Sequence, residues 1–175
     1  VIDRQTASQE VATAIAPLMQ TIGTMQPFVV GGRVWDAMSL VNILVTDPAQ
    51  LDAHIALCPA WVAFFGVVVA DAKREHDMKQ SDYRQARDTW HTQRRAEGKV
   101  TQAALEDEWR IQSNYKGWQE ALTTSERAWS CASFVHDALQ RKSQMLTNLT
   151  KLYSDERAAS ATTRNVSAYG PALTR

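Results

Sequence analysis

The sequence predicts an all-α protein organised as a long antiparallel helical hairpin with smaller N-terminal helices. Three observations carry this expectation. First, Gly66 is the only glycine or proline between Ala60 and Glu97, and no proline occurs from Val100 to Tyr169. Long runs of this kind, rich in Ala, Arg and Gln, suit helices and are rare in loops. Second, Gly98-Lys99-Val100 interrupts the two runs and supplies a turn. Third, a seam recurs in steps of mostly three and four. On the outgoing run it is Trp61, Phe65, Val68, Ala72, His76, Lys79, Tyr83, Ala86 and Trp90. On the return it is Ile111, Tyr115, Trp118, Leu122, Ser125, Trp129, Ala132, Val135 and Leu139, then Leu146, Leu149 and Tyr153. Such spacing puts one seam along each helix. Its polar breaks and large aromatics suit an irregular hairpin better than a regular Leu/Ile coiled coil. A helix of about 38 residues is about 57 Å long, more surface than one antiparallel partner buries, so further helices or other subunits should cover it.

In chain order, Thr6 to Gln9 fits a capping box for an amphipathic helix over 7–20, which Pro17 should bend or end. Phe28-Val29-Val30 and Arg33-Val34-Trp35 flank Gly31-Gly32. They form either a small hairpin or a loop that places Phe28 and Trp35 against another surface. Asp36 can cap a short helix to Leu44 whose Met38, Leu40, Val41, Ile43, Leu44 and Val45 look buried nearly all round. Asp47-Pro48 starts a helix over 48–57, and Cys58-Pro59 ends it and launches the long one. A kink is expected near Ser113-Asn114. The reading divides the chain into an N-terminal arm (1–46), the hairpin (47–157) and an extended tail (158–175).

Composition narrows the function. An apolar fraction of 45% supports a core. Formal charge is zero, yet residues 1–58 carry two basic and five acidic side chains, and residues 141–175 six basic and two acidic. A mildly acidic front and a cationic tail permit head-to-tail contacts or an anionic partner at the tail. Cys58 and Cys131, the only cysteines, read as buried thiols of a reducing compartment. No signal peptide is visible. Val67-Val68-Val69 runs straight into Asp71 and Lys73, a stretch read as too short to span a membrane, so a cytoplasmic protein is expected.

No enzyme signature is present: no nucleophile elbow, H-E-x-x-H, P-loop or Gly-rich dinucleotide turn. No cofactor is expected. His54 with Cys58, and Cys131 with His136, offer two sulfurs and two nitrogens. A five-residue separation nevertheless sets the second pair about 140° apart around a helix, so zinc is not expected. The suggestive cluster is basic. Lys73, Arg74, Lys79, Arg84, Arg87, Arg94, Arg95 and Lys99 are interleaved with Tyr83 and Trp90. Cations that track phosphates and aromatic faces that stack on bases are what single-strand binding needs. Near the turn, Arg84, Arg87, Arg94, Arg95 and Lys99 are opposed along the helix only by Asp88 and Glu97. The candidate nucleic-acid contacts are therefore Lys79, Arg84, Arg87, Trp90, Arg94, Arg95 and Lys99. Trp90 and Trp109 flank the turn and suit contact with a ligand or neighbour, whereas Trp118 and Trp129 read as packing.

The layout resembles a known family. Asp47-Pro48-Ala49-Gln50-Leu51-Asp52-Ala53-His54-Ile55 leads to Pro59-Ala60-Trp61, an Ala70-Asp71-Ala72-Lys73 helix, Gly98-Lys99-Val100-Thr101, an acidic stretch, Tyr115 and a long helix through Leu146, Leu149 and Tyr153. Over residues 47–157 this is similar to phage recombination mediators of the UvsY-like type. The resemblance implies a homo-oligomer that binds single-stranded DNA and helps load a RecA-like recombinase onto strands coated by single-strand-binding protein. It also implies that residues around Asp82-Tyr83, including Lys79 and Arg84, touch DNA. The first expectation is thus a non-catalytic recombination mediator. The alternative is a structural assembly protein, a phage virion or scaffold component acting through helix–helix contacts. A regulator that binds another protein through a helix face is not separable from that alternative.

Overall fold

The computed structural model describes residues 4–169, which form five helices and one two-stranded ribbon. The all-α expectation holds. Helix α1 spans Arg4–Gly23 and buries Ala7, Val11, Ile15 and Ile22, one face of the 3.6-residue period. It begins ahead of Thr6, which lies in its first turn and not at a cap. Pro17 does not end it. The proline and Thr13, whose carbonyl loses its amide partner there, are on the exposed side, where water can replace the bond.

The Gly31-Gly32 segment is a hairpin. Strand β1 (Phe28–Val30) pairs antiparallel with β2 (Arg33–Trp35), with Phe28 opposite Trp35 and Val30 opposite Arg33. Both turn residues have positive φ, 57° and 75°, a backbone that glycine adopts without strain and that matches the twist of a two-residue hairpin. Phe28, Val30 and Trp35 face inward, and the Trp35 ring lies 4.9 Å from that of Phe65.

Helix α2 (Ala37–Leu44) buries only Leu40 and Leu44, while Met38 is 71% exposed. It has one inward face and is not enclosed all round as its composition suggests. The Asp47 carboxylate then accepts from the Ala49 amide at 2.9 Å, capping a single 3-10 turn, Pro48–Gln50. Helix α3 follows at once and runs unbroken from Leu51 to Glu97 with Pro59 inside it. The expected break at Cys58-Pro59 is absent, and the exposed Pro59 is accommodated as Pro17 is.

The return is divided. Thr101 caps α4 (Gln102–Arg110), its hydroxyl accepting from the Ala104 amide at 3.3 Å. A turn separates α4 from α5 (Tyr115–Tyr169), so the expected kink is a full interruption. Ile111, placed on the seam by spacing, lies in that turn and is 81% exposed. Helix α5 extends through 158–169, which composition assigns to an extended tail; the rest of that stretch lies outside the described residues.

Contacts divide the fold into two compact units. One joins the chain up to Met25, Ala37–Phe64 and the chain from Asp137 onward. Its core includes Val11, Ile15, Leu40, Leu44, Leu51 and Leu139, and the buried Ser8 hydroxyl donates to the Thr46 carbonyl at 3.0 Å. The other joins Gln26–Asp36 with Phe65–His136. Its core includes Phe28, Trp35, Phe65, Ala72, Leu105 and Val135. Residues 4–46 are therefore divided between the two units. Both units pair α3 with α5 in antiparallel fashion. Cys58 meets the Leu139 carbonyl in the first, and His76 Nδ1 sits 3.1 Å from Ser125 Oγ in the second.

Candidate functional site

The seven predicted nucleic-acid contacts all belong to the second unit, but they do not form one cationic face. At about 100° per residue, Lys79, Trp90 and Arg94 fall on the seam side of α3, while Arg84 and Arg95 lie roughly 140–160° round from Lys79. Lys79 is half-buried and borders a groove with Glu75 and Glu120. Arg87 donates twice to Asp88, at 3.1 and 3.2 Å. Arg94 is held between Glu108 at 2.7 Å and Glu97 at 2.9 Å. Arg95 donates to Gln102, whose amide donates onward to Glu106. Arg84 and Lys99 are exposed.

Helix α4 explains the difference from the sequence reading. Along α3 alone, Asp88 and Glu97 are the acids nearest the basic end. In the fold, α4 returns Glu106 and Glu108 to it. Between Asp82 and Arg110 the chain carries six basic and six acidic side chains. The short Arg94 hydrogen bond holds the Glu108 carboxyl below its ordinary range, and Glu108 raises the guanidinium in turn. Phosphates would have to displace these carboxylates to reach Arg94.

The aromatic residues at the turn are better organised than the cations. Trp109 is only 2% exposed and is a packing residue, contrary to its expected ligand role. Its Nε1 donates to the Tyr83 hydroxyl at 3.2 Å, and its ring lies 5.7 Å from Trp90 and 6.4 Å from Tyr115. Trp90 and Trp118 are half-buried, and with Trp109 they line an open groove of about 490 Å³ that also presents the amides of Gln85, Gln93, Gln112 and Asn114. Trp118, read as packing, therefore also borders this groove.

A second surface was not anticipated. Helix α3 contains an 18-residue stretch of mean hydropathy 2.0 of which only 17% is buried, long and apolar enough by length and composition to cross a membrane. Counted from Val67 alone the stretch is too short, but in one helix with no break at Pro59 the uncharged run covers residues 53–70. Three of its residues, Cys58, Phe65 and Val68, are packed into the protein. In the first unit, Ala53, Leu57, Ala60 and Phe64 are exposed at steps of four, three and four, with Leu57 at 56% and Phe64 at 40%. They share one side of the helix.

No three His, Cys, Asp or Glu side chains are grouped as metal ligands among the described residues. Comparison with protein-family models, with curated proteins and with solved structures finds no match for this chain.

Proposed function

We propose that this protein is a non-catalytic assembly component that acts through helix–helix contacts between identical copies. The observation that carries the reading is the exposed stripe of Ala53, Leu57, Ala60 and Phe64 on α3. Small and large residues alternate along it. A second copy laid antiparallel, with the two-fold axis between residues 58 and 59, sets Leu57 against Ala60 and Phe64 against Ala53. Every large side chain then meets an alanine, so the stripe is complementary to itself, as a two-fold interface requires. Covering Leu57 and Phe64 contributes roughly 1.5–3 kcal/mol for each side chain fully removed from water. Light scattering tests the reading: the wild-type chain should be multimeric at micromolar concentration, and Phe64→Lys should be monomeric with an unchanged helical circular dichroism signal. A monomeric wild type would refute it.

A second reading, the single-stranded-DNA-binding recombination mediator, is favoured by the groove that the half-buried Trp90 and Trp118 border together with four side-chain amides. Stacking on such rings is worth about 1–3 kcal/mol per base and needs no sequence specificity. The recombinase and single-strand-binding protein partners rest on the UvsY-like resemblance alone. On this reading Glu108→Gln, which removes one of the two carboxylates that hold Arg94, should tighten oligonucleotide binding and steepen its salt dependence between about 50 and 200 mM. Absence of binding by both wild type and variant would remove the mediator and leave the assembly component.

A further inference from the structure

Lys142, on α5 in the first unit, is 1% exposed. Its ammonium donates to the carbonyls of Ile43 at 3.1 Å and Val45 at 3.2 Å, and sits 3.3 Å from His54 Nδ1. None of these partners is a carboxylate. A buried lysine with no carboxylate partner among the described residues is costly as a cation and less so as a neutral amine. The side chain also borders a mostly apolar cavity of about 200 Å³ with Asn42, Ile43, His54, Leu57, Cys58 and Trp61. The two carbonyls lie at the C-terminal end of α2, so Lys142 also acts as a cap there. That role occupies two of its three hydrogens.

We propose that Lys142 is a carbonyl-trapping residue, forming an imine with a short-chain aliphatic aldehyde bound in this cavity. Loss of the hydrogen aimed at His54 leaves the lone pair on that side, among the cavity-lining groups. In the neutral amine the other two N–H groups remain on Ile43 and Val45, and both are given up as the imine forms. The lone pair adds to the carbonyl carbon and the C=O π pair moves to oxygen. One proton passes from nitrogen to that oxygen. A second proton, relayed through the His54 imidazole, lets the hydroxyl leave as water, and the remaining N–H proton returns to solvent as the C=N bond forms. The balance is amine plus aldehyde giving imine plus water, with no redox change. Burial, which lowers the Lys142 pKa from its ordinary value to about 8, gives the amine a neutral fraction near neutrality that exposed lysines lack. The groups facing it are His54, whose own pKa burial and Lys142 depress, and Cys58, whose thiol burial pushes up.

The test uses the intact wild-type chain, butanal and cyanoborohydride at pH 7, with each lysine's adduct quantified by peptide mass spectrometry. Lys142 should be alkylated at least tenfold faster than the exposed Lys73, Lys99, Lys116 and Lys151. The advantage should vanish in guanidine, and Asn42→Phe, which places a larger side chain at a lining position on α2, should abolish it without changing the other lysines. An unmodified Lys142 beside alkylated surface lysines, or equal rates at all of them, would overturn the proposal and leave Lys142 as a cap alone.

Discussion

At the scale of single residues, Lys142 sets an unusual pH dependence. Its pKa is about 8 in the fold against an ordinary 10.5. Below about pH 8 both folded and unfolded chains hold the proton, and the buried charge is at its most costly. Between about 8 and 10.5 the unfolded chain holds more protons than the folded one, so stability rises with pH. The gain is on the order of 3 kcal/mol across the whole window. Urea midpoints measured from pH 7 to 10 should therefore climb, and Lys142→Met should flatten that climb. A midpoint that falls over this range in the wild type and not in the variant would mean that the charged form is the preferred one. Phe65 makes the opposite kind of contribution. It is fully buried and packs on Trp35, so Phe65→Ala should cost about 3–5 kcal/mol in denaturant unfolding. A loss under 1 kcal/mol would show that the hairpin ribbon is not anchored there.

At the scale of elements, spacing made the seam legible and proline obscured the helix. Of the nine seam positions read on α3, from Trp61 to Trp90, none is exposed. Periodicity finds them because a single face is repeatedly removed from water. Pro17 and Pro59 share a reason for standing inside helices that composition would break: each ring lies on an exposed side of its helix. Splitting α3 at Pro59 also hid its uncharged run, and with it the exposed stripe. Pro59→Ala restores a backbone hydrogen bond in an exposed helix interior, so it should raise stability by up to about 3 kcal/mol. A destabilised Pro59→Ala chain would mean that the proline holds a bend the fold requires. The acidic side of the turn was hidden differently. Glu106 and Glu108 lie beyond the end of α3, and only the separate α4 helix brings them back to it. Charge counted along one helix therefore overstated the cationic end.

For the whole molecule, the account rests on which surface is left for a partner. The Arg-rich end of α3 satisfies much of its charge internally, whereas the stripe of Ala53, Leu57, Ala60 and Phe64 leaves apolar side chains exposed and is too apolar to be an ordinary solvated face. An assembly component uses that stripe between copies. Disulfide trapping tests it most directly, in a chain carrying Cys131→Ser, with Cys58 left in its buried position. Ala53→Cys and Phe64→Cys variants are mixed and oxidised. In the antiparallel pairing these two positions face each other across the interface, while two copies of either one stand about 16 Å apart along the helices, beyond the reach of a disulfide. The account predicts a mixed Ala53→Cys/Phe64→Cys disulfide and little of either symmetric product. Symmetric products alone, or no cross-link at any protein concentration, would contradict it.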